Sequence, residues 1–327
     1  MEQFFQQLKD EKLSSKERLE CRHSLIDFIK KHPAKNRVGV KTFTSFIVLI
    51  LTSASVSYAA EGALPGDILY SAKIYVNEQV VGTLSLSKET KARWAAKRAE
   101  RRLEEAEKLA SKGRLNANTR SIVEEGLKSS TDEVTARITQ FKEAGNQQSG
   151  AEISSEFETS LRTHEQILKT LDEQDNNESE TEEIAPILLN IRSRAREAAE
   201  SREETERAVS LNSGNSAEAA AENSLKSAEK KIEEARQIIQ NSKERIGKDA
   251  TKEAETRLQK ARKLTVDGKQ KLDEKKFGGA FQSFQQAKRL SQETKLLIKA
   301  KEDLNMDVKL DIQNSDEADD KRSKNGD

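Results

Sequence analysis

The sequence holds one cysteine, three prolines and 14 glycines in 327 residues, and only 4% of it is aromatic. One cysteine excludes a disulfide framework and any zinc cluster of several thiolates. So few prolines and glycines exclude a collagen-like or Pro/Gly-rich disordered chain, and a β-rich fold with many tight turns. At 34% hydrophobic residues the chain cannot supply the spans of a polytopic membrane protein. Ala, Glu, Lys, Leu and Arg are abundant, which is the composition of long helices. The expected fold class is all-α: a single transmembrane helix followed by two extracytoplasmic modules, each a helical bundle or coiled-coil-like.

Net charge is also missing, since 57 Lys and Arg balance 57 Asp and Glu. The balance is a sum of unlike parts. Residues 1–41 hold ten bases and six acids, residues 42–60 hold neither, and residues 61–327 hold 47 bases and 51 acids. The uncharged segment contains Phe46-Ile47-Val48-Leu49-Ile50-Leu51, and as a helix it is roughly 28 Å long, about one hydrocarbon core. Lys30, Lys31, Lys35, Arg37 and Lys41 precede it, while Glu61 and Asp67 follow it. Positive charge stays on the cytoplasmic side, so the N-terminus is expected inside and residues 61–327 outside. The expected location is the cytoplasmic membrane, single-pass. The competing reading is export with cleavage near Ala59, because seven of the 19 residues are Ser or Thr and Ser57-Tyr58-Ala59 has small-x-small spacing.

Residues 1–31 read as short amphipathic helices. Ser14 and Glu17 have capping-box spacing, Leu19, Leu25, Ile26 and Ile29 share a face, and Pro33 ends the helix. This segment either lies on the inner membrane surface or docks a cytoplasmic partner. Cys21, His23 and His32 are too few and too irregularly spaced for a metal site, so no metal is expected there.

After the uncharged segment comes Ala63-Leu64-Pro65-Gly66-Asp67-Ile68-Leu69-Tyr70. Pro65-Gly66 is a turn signal and Asp67 is placed to cap the next helix. Tyr58 suits the outer membrane interface, and Tyr70 and Tyr75 are expected in a small core. Ala63–Tyr70, with Lys73 and the later Ala99-Glu100-Arg101-Arg102-Leu103-Glu104-Glu105-Ala106, resemble the bacterial family catalogued as domain of unknown function 5667. The resemblance covers about residues 55–170. It implies a membrane-associated bacterial protein with a short cytoplasmic segment, one span and an exported helical region. Some relatives are linked to anti-sigma-type signalling, but the His/Cys pattern of zinc anti-sigma domains is missing here.

Periodicity then predicts a chain of helices. Residues 61–171 form the first module. It has a helix over 70–86 with Tyr70, Ile74, Val81 and Leu84 inward. A second helix over 88–112 is capped by Ser87 and carries an Ala92, Ala95, Ala99, Leu103, Ala106 and Ala110 seam. A third is capped by Asn116 and shows Ile122, Leu127, Val134, Ile138 and Phe141. A fourth shows Ile153, Phe157, Leu161, His164, Leu168 and Leu171. Residues 172–183, with seven acids and no base, read as a solvated linker. Residues 184–304 form the second module, starting at Pro186 in a first helical turn, with Gly278-Gly279-Ala280 at a late hairpin turn. Residues 305–327 read as a disordered tail.

Nothing in the chain marks catalysis. Residues 61–327 contain one histidine and no cysteine, and no phosphate-binding loop or nucleophile motif occurs. His164 is expected as a core or boundary residue. The basic cluster Lys91, Arg93, Lys97, Arg98, Arg101 and Arg102 lies in the part read as exported, whose total is acidic, so nucleic acid is not an expected partner and a solvated face with Glu partners is. The reading is a non-enzymatic, membrane-anchored interaction or scaffold protein of the envelope, with no cofactor. Its partners would be membrane lipid and a protein partner or second copy bound through helical faces. The alternative is an anti-sigma-type transmembrane regulator with residues 1–41 as its cytoplasmic arm.

Overall fold

A computed structural model of the chain describes residues 59–174, 178–211 and 214–304. Every regular element among these residues is helical, so the all-α class holds. Residues 1–41, with the basic residues expected to set topology, most of the expected span at 42–60, and the tail at 305–327 lie outside the described residues. Among the described residues no helix is long and apolar enough to cross a membrane.

The chain divides into two compact units, one ending at Val80 and the other beginning at Val81. In the first unit the Pro65-Gly66 turn forms as expected. Asp67 N donates to Leu64 O at 2.9 Å, and Gly66 sits at φ +91°, a position that only glycine adopts without strain. Asp67 does not serve as the expected helix cap. Its Oδ2 accepts from Leu64 N at 2.8 Å, which locks the turn from inside, and the helix starts at Tyr70 behind an uncapped Leu69. Tyr70–Ala72 is α-helical, Lys73–Asn77 is a π turn, and Glu78–Leu84 is α-helical again. A π turn inserts an extra residue and rotates everything after it. Tyr75, expected in a small core, lies within the turn and points outward.

The second unit carries seven long helices among its described residues: α1 (Lys88–Ala110), α2 (Ala117–Glu143), α3 (Gln147–Gln174), α4 (Glu178–Leu211), α5 (Asn215–Ile246), α6 (Lys248–Asp273) and α7 (Phe277–Leu304). The predicted caps form. Ser87 and Asn116 each accept from the backbone three residues on, and Thr90 and Thr119 return the bond, worth about 1 kcal/mol per cap. After α1 and α2 the chain turns through Gly113 and Gly145 at positive φ. There Arg114 N bonds Leu109 O and Asn146 N bonds Phe141 O, the paired closure that ends a helix cleanly. After α6 the same closure falls on Lys275 at φ +59°, with Lys276 N donating to Lys271 O at 2.8 Å. The turn is therefore at 274–276, and Gly278 and Gly279 lie in the first turn of α7. Lys275 is exposed and bears the left-handed strain of an L residue. Lys275→Gly is expected to stabilise the fold by about 0.5–1 kcal/mol, read as a higher urea midpoint; a lower midpoint would contradict this.

Packing departs from the expected two modules. α4 packs along α3, and α5, α6 and α7 pack on one another. α3 meets α1, α2, α4 and α7, so α3 and α7 form the middle of one compact unit. The segment expected as a linker at 172–183 is helical at both ends, with only 175–177 outside the described residues. α4 begins eight residues before Pro186. The Ala seam of α1 is buried throughout, as is the stripe expected of α3. On α2 the buried residue is Val123, one position along from the expected Ile122. Phe281 and Phe284 on α7 are fully buried against the middle of the bundle, each contributing about 2–3 kcal/mol of apolar burial. Trp94 of α1 lies against Gly82, where a Cβ would approach its Nε1 to 3.3 Å.

Candidate functional site

Helices packed on Ala seams lie close together, and the polar groups caught between them must find partners in place of water. Three such polar clusters run through the second unit.

The first joins α1, α3 and α7. His164 and Glu107 are both buried, with His164 Nδ1 and Glu107 Oε1 2.6 Å apart. Glu104, one turn back on α1, accepts from Lys299 Nζ of α7 at 2.6 Å, and Lys108 pairs with Asp303 at 3.6 Å. These residues line a cleft with about 10 Å³ of room, the size of one water. Burial alone would push the His164 imidazolium down, but Glu107, with Glu100 and Glu104 behind it, holds its pKa above the ordinary value. Burial pushes the Glu107 carboxyl up, against the pull of His164. Both directions say that the pair keeps a shared proton. Glu104 works against its own burial with help from Lys97 and Lys299 and is held down at about 2.

A stability consequence follows for the His164–Glu107 pair. A histidine whose folded pKa exceeds its unfolded value of about 6.5 stabilises fully below that pH and loses the contribution as pH rises through the folded value. The thermal midpoint is expected to fall as the pH rises above about 6.5. The double variant Glu107→Leu, His164→Leu should flatten that limb. A limb of unchanged slope in the double variant would rule the pair out as its source.

The second cluster joins α1, α3, α5 and α7. Arg93 reaches Glu152 at 3.0 Å and also bonds Glu156, which lies 3.5 Å from Lys231. Gln292 Nε2 donates to the Glu156 carbonyl at 2.9 Å. Burial would raise the Glu156 carboxyl, but Lys231, Arg93 and Lys288 together hold it at about 2. Glu156 in turn raises Lys231. Lys288 is buried, its Nζ makes no hydrogen bond and lies 3.8 Å from Glu152. Burial pushes its pKa down.

The third cluster joins α3, α4 and α7. Arg202 bonds Glu158 across the α3–α4 contact and Glu206 at 3.1 Å along its own helix. Arg289 of α7 bonds Glu206 at 2.7 Å and Ser155 at 3.2 Å. Glu158 and Glu206 hold the Arg202 guanidinium charged against its burial.

The expected solvated basic face on α1 is only partly so. Arg102 is buried with its stem across Gly126, where a Cβ would meet it at 2.7 Å, while Arg93 and Arg98 reach glutamates on other helices. His164 is a core residue, as its place on the apolar stripe implied, but its Glu107 partner carries no signal in the sequence. Arg202 did give one, as a charge at a seam position. Leu64, Pro65, Gly66, Asp67 and Tyr70 form a folded junction in the first unit, held further by Lys73 Nζ donating to Ala63 O at 3.0 Å. Among the described residues no group of three His, Cys, Asp or Glu side chains is placed to hold a metal ion. The chemistry these clusters perform is mutual neutralisation, which fixes how the helices sit. No family model matches the chain, and neither a curated protein nor a solved structure matches it.

Proposed function

We propose that the chain is a membrane-anchored, non-enzymatic interaction or scaffold protein of the bacterial envelope, with residues 61–327 outside the cytoplasmic membrane. The observation that carries this reading is the uncharged 42–60 segment between a basic N-terminal flank and an acid-first C-terminal one. Supporting it, the clusters inside the second unit are occupied by ion pairs between helices, and the cleft beside His164 and Glu107 has room for a single water. The outward faces are then the working surface, offered to a partner helix, a second copy or envelope components. The resemblance to the domain of unknown function 5667 family, which rests on the 63–70 junction and the 99–106 helix, fits the same reading.

The test is the intact mass of the protein extracted from alkali-washed membranes. The expected mass is that of the whole chain, 36.7 kDa. A product beginning near Ala60 would contradict the retained anchor.

A further inference from the structure

Between Ile68 and Val80 the ordinary placement of charge is inverted. This stretch has two charged residues, Lys73 and Glu78, and both are buried, at 5% and 7% exposure. Ile68, Tyr75, Val76 and Val80 are exposed at 97%, 74%, 54% and 53%. The other outward side chains of this stretch are Ser71 and Gln79, which carry no charge. Water-facing helices place charge outside and apolar groups inside, and 35% of this chain is charged. A face that hides its charges and shows its apolar groups is built for a medium other than water.

The π turn produces the inversion. Glu78 N bonds Lys73 O, five residues back, so the two charged residues share one side of the helix. Lys73 is held there by its bond to Ala63 O at 3.0 Å, with its ammonium 5.8 Å from the Tyr70 ring. The extra residue of the turn sends Tyr75 and Val76 to the opposite side.

The chain itself says what that side meets. Seven residues separate Ala60, the end of the uncharged segment, from Ile68, and they reach less than about 30 Å even when extended. The turn at 64–67 shortens that reach. We infer that the face formed by Ile68, Tyr75, Val76 and Val80 lies in the interfacial layer of the lipid bilayer, as a helix resting on the leaflet from which the uncharged segment emerges. This rests on the anchored reading above. Tyrosine suits that layer because its ring sits apolar while its hydroxyl stays wet. With no acid on the face, anionic headgroups are not repelled.

The test uses the full chain with Cys21→Ser and one nitroxide-labelled cysteine at Val76, Val80 or, as a water-facing control on α6, Val266. Each is reconstituted into vesicles of phosphatidylethanolamine and phosphatidylglycerol. Labels at 76 and 80 are expected to favour collision with oxygen over a water-soluble nickel complex by roughly threefold or more relative to 266. That ratio should not change when the protein is diluted in lipid. If the chain stays in alkali-washed vesicles but labels at 76 and 80 are as accessible to nickel as 266, the bilayer contact is wrong and the anchor stands. If protection comes with dipolar coupling between labels that fades on dilution, a second copy covers the face and the bilayer contact is wrong. If the chain washes off the vesicles, the anchor fails and the bilayer contact fails with it.

Discussion

Replacing Arg202 with methionine is expected to cost about 3 kcal/mol of folding stability, because it leaves two buried carboxylates short of a partner. Arg202 bonds Glu158 across the α3–α4 contact and Glu206 along α4, and all three side chains are nearly covered. Breaking one partner out of a buried ion cluster costs about 3–5 kcal/mol. The lower end applies because each carboxylate keeps a second partner, Arg162 at 2.7 Å from Glu158 and Arg289 at 2.7 Å from Glu206. The cost should come from stranded charge more than from lost attraction. The triple variant Glu158→Leu, Arg202→Met, Glu206→Leu is therefore expected to recover at least about half of the loss. Urea unfolding followed by circular dichroism at pH 7 reads both. A single variant within about 0.5 kcal/mol of the parent would mean the cluster is not a buried unit.

Truncating Phe284 to alanine is expected to cost about 3–5 kcal/mol, the usual price of a cavity left by a fully buried aromatic ring. The neighbouring Gly268 makes this site more informative than a single deletion. A Cβ on Gly268 would fall 2.4 Å from Phe284 Cε1 and 2.7 Å from Cδ1, inside the ring's own volume. Phe284 has no exposed side to retreat toward. Gly268→Ala gains up to about 1 kcal/mol of helix propensity and loses about 1–3 kcal/mol to overpacking. The net in the parent is a loss. In the Phe284→Ala background the new methyl enters vacated space, so Gly268→Ala should change sign and stabilise. Equal destabilisation in both backgrounds would show that the ring and the glycine are not fitted to each other.

Much of this fold was legible in the sequence because its signals are local. Ala92, Ala95, Ala99, Leu103 and Ala106 repeat at helical spacing whatever they pack on, and Ser87 and Asn116 cap through bonds three residues long. The errors all concern the third dimension or an unusual turn. The acids at 172–183 have the composition of a solvated linker, yet Glu178, Glu180, Glu182 and Glu183 occupy the start of α4. Negative charge there is favoured by the helix dipole, and glutamate is a good helix former. Helix runs through the expected linker for that reason, and nothing in an apolar stripe says which neighbour it will meet. The stripe of α4 meets α3. The π turn at 73–77 has no sequence signature in a single chain, and one extra residue was enough to turn Tyr75 outward. Partners such as Glu107 for His164 lie 57 positions apart and depend on tertiary register alone.

The proposed topology puts residues 1–41 inside and residues 61–327 outside, with one retained span between. The single native cysteine tests it. Cys21 lies in the N-terminal segment, and Val266→Cys supplies a second thiol at an exposed position of α6. A membrane-impermeant maleimide is applied to intact cells expressing the full chain, before and after permeabilisation, and labelled protein is read by mass. Position 266 is expected to react at once and Cys21 only after permeabilisation, with both labels on one uncleaved chain. Labelling of Cys21 in intact cells, or protection of 266 until the membrane is opened, would contradict it.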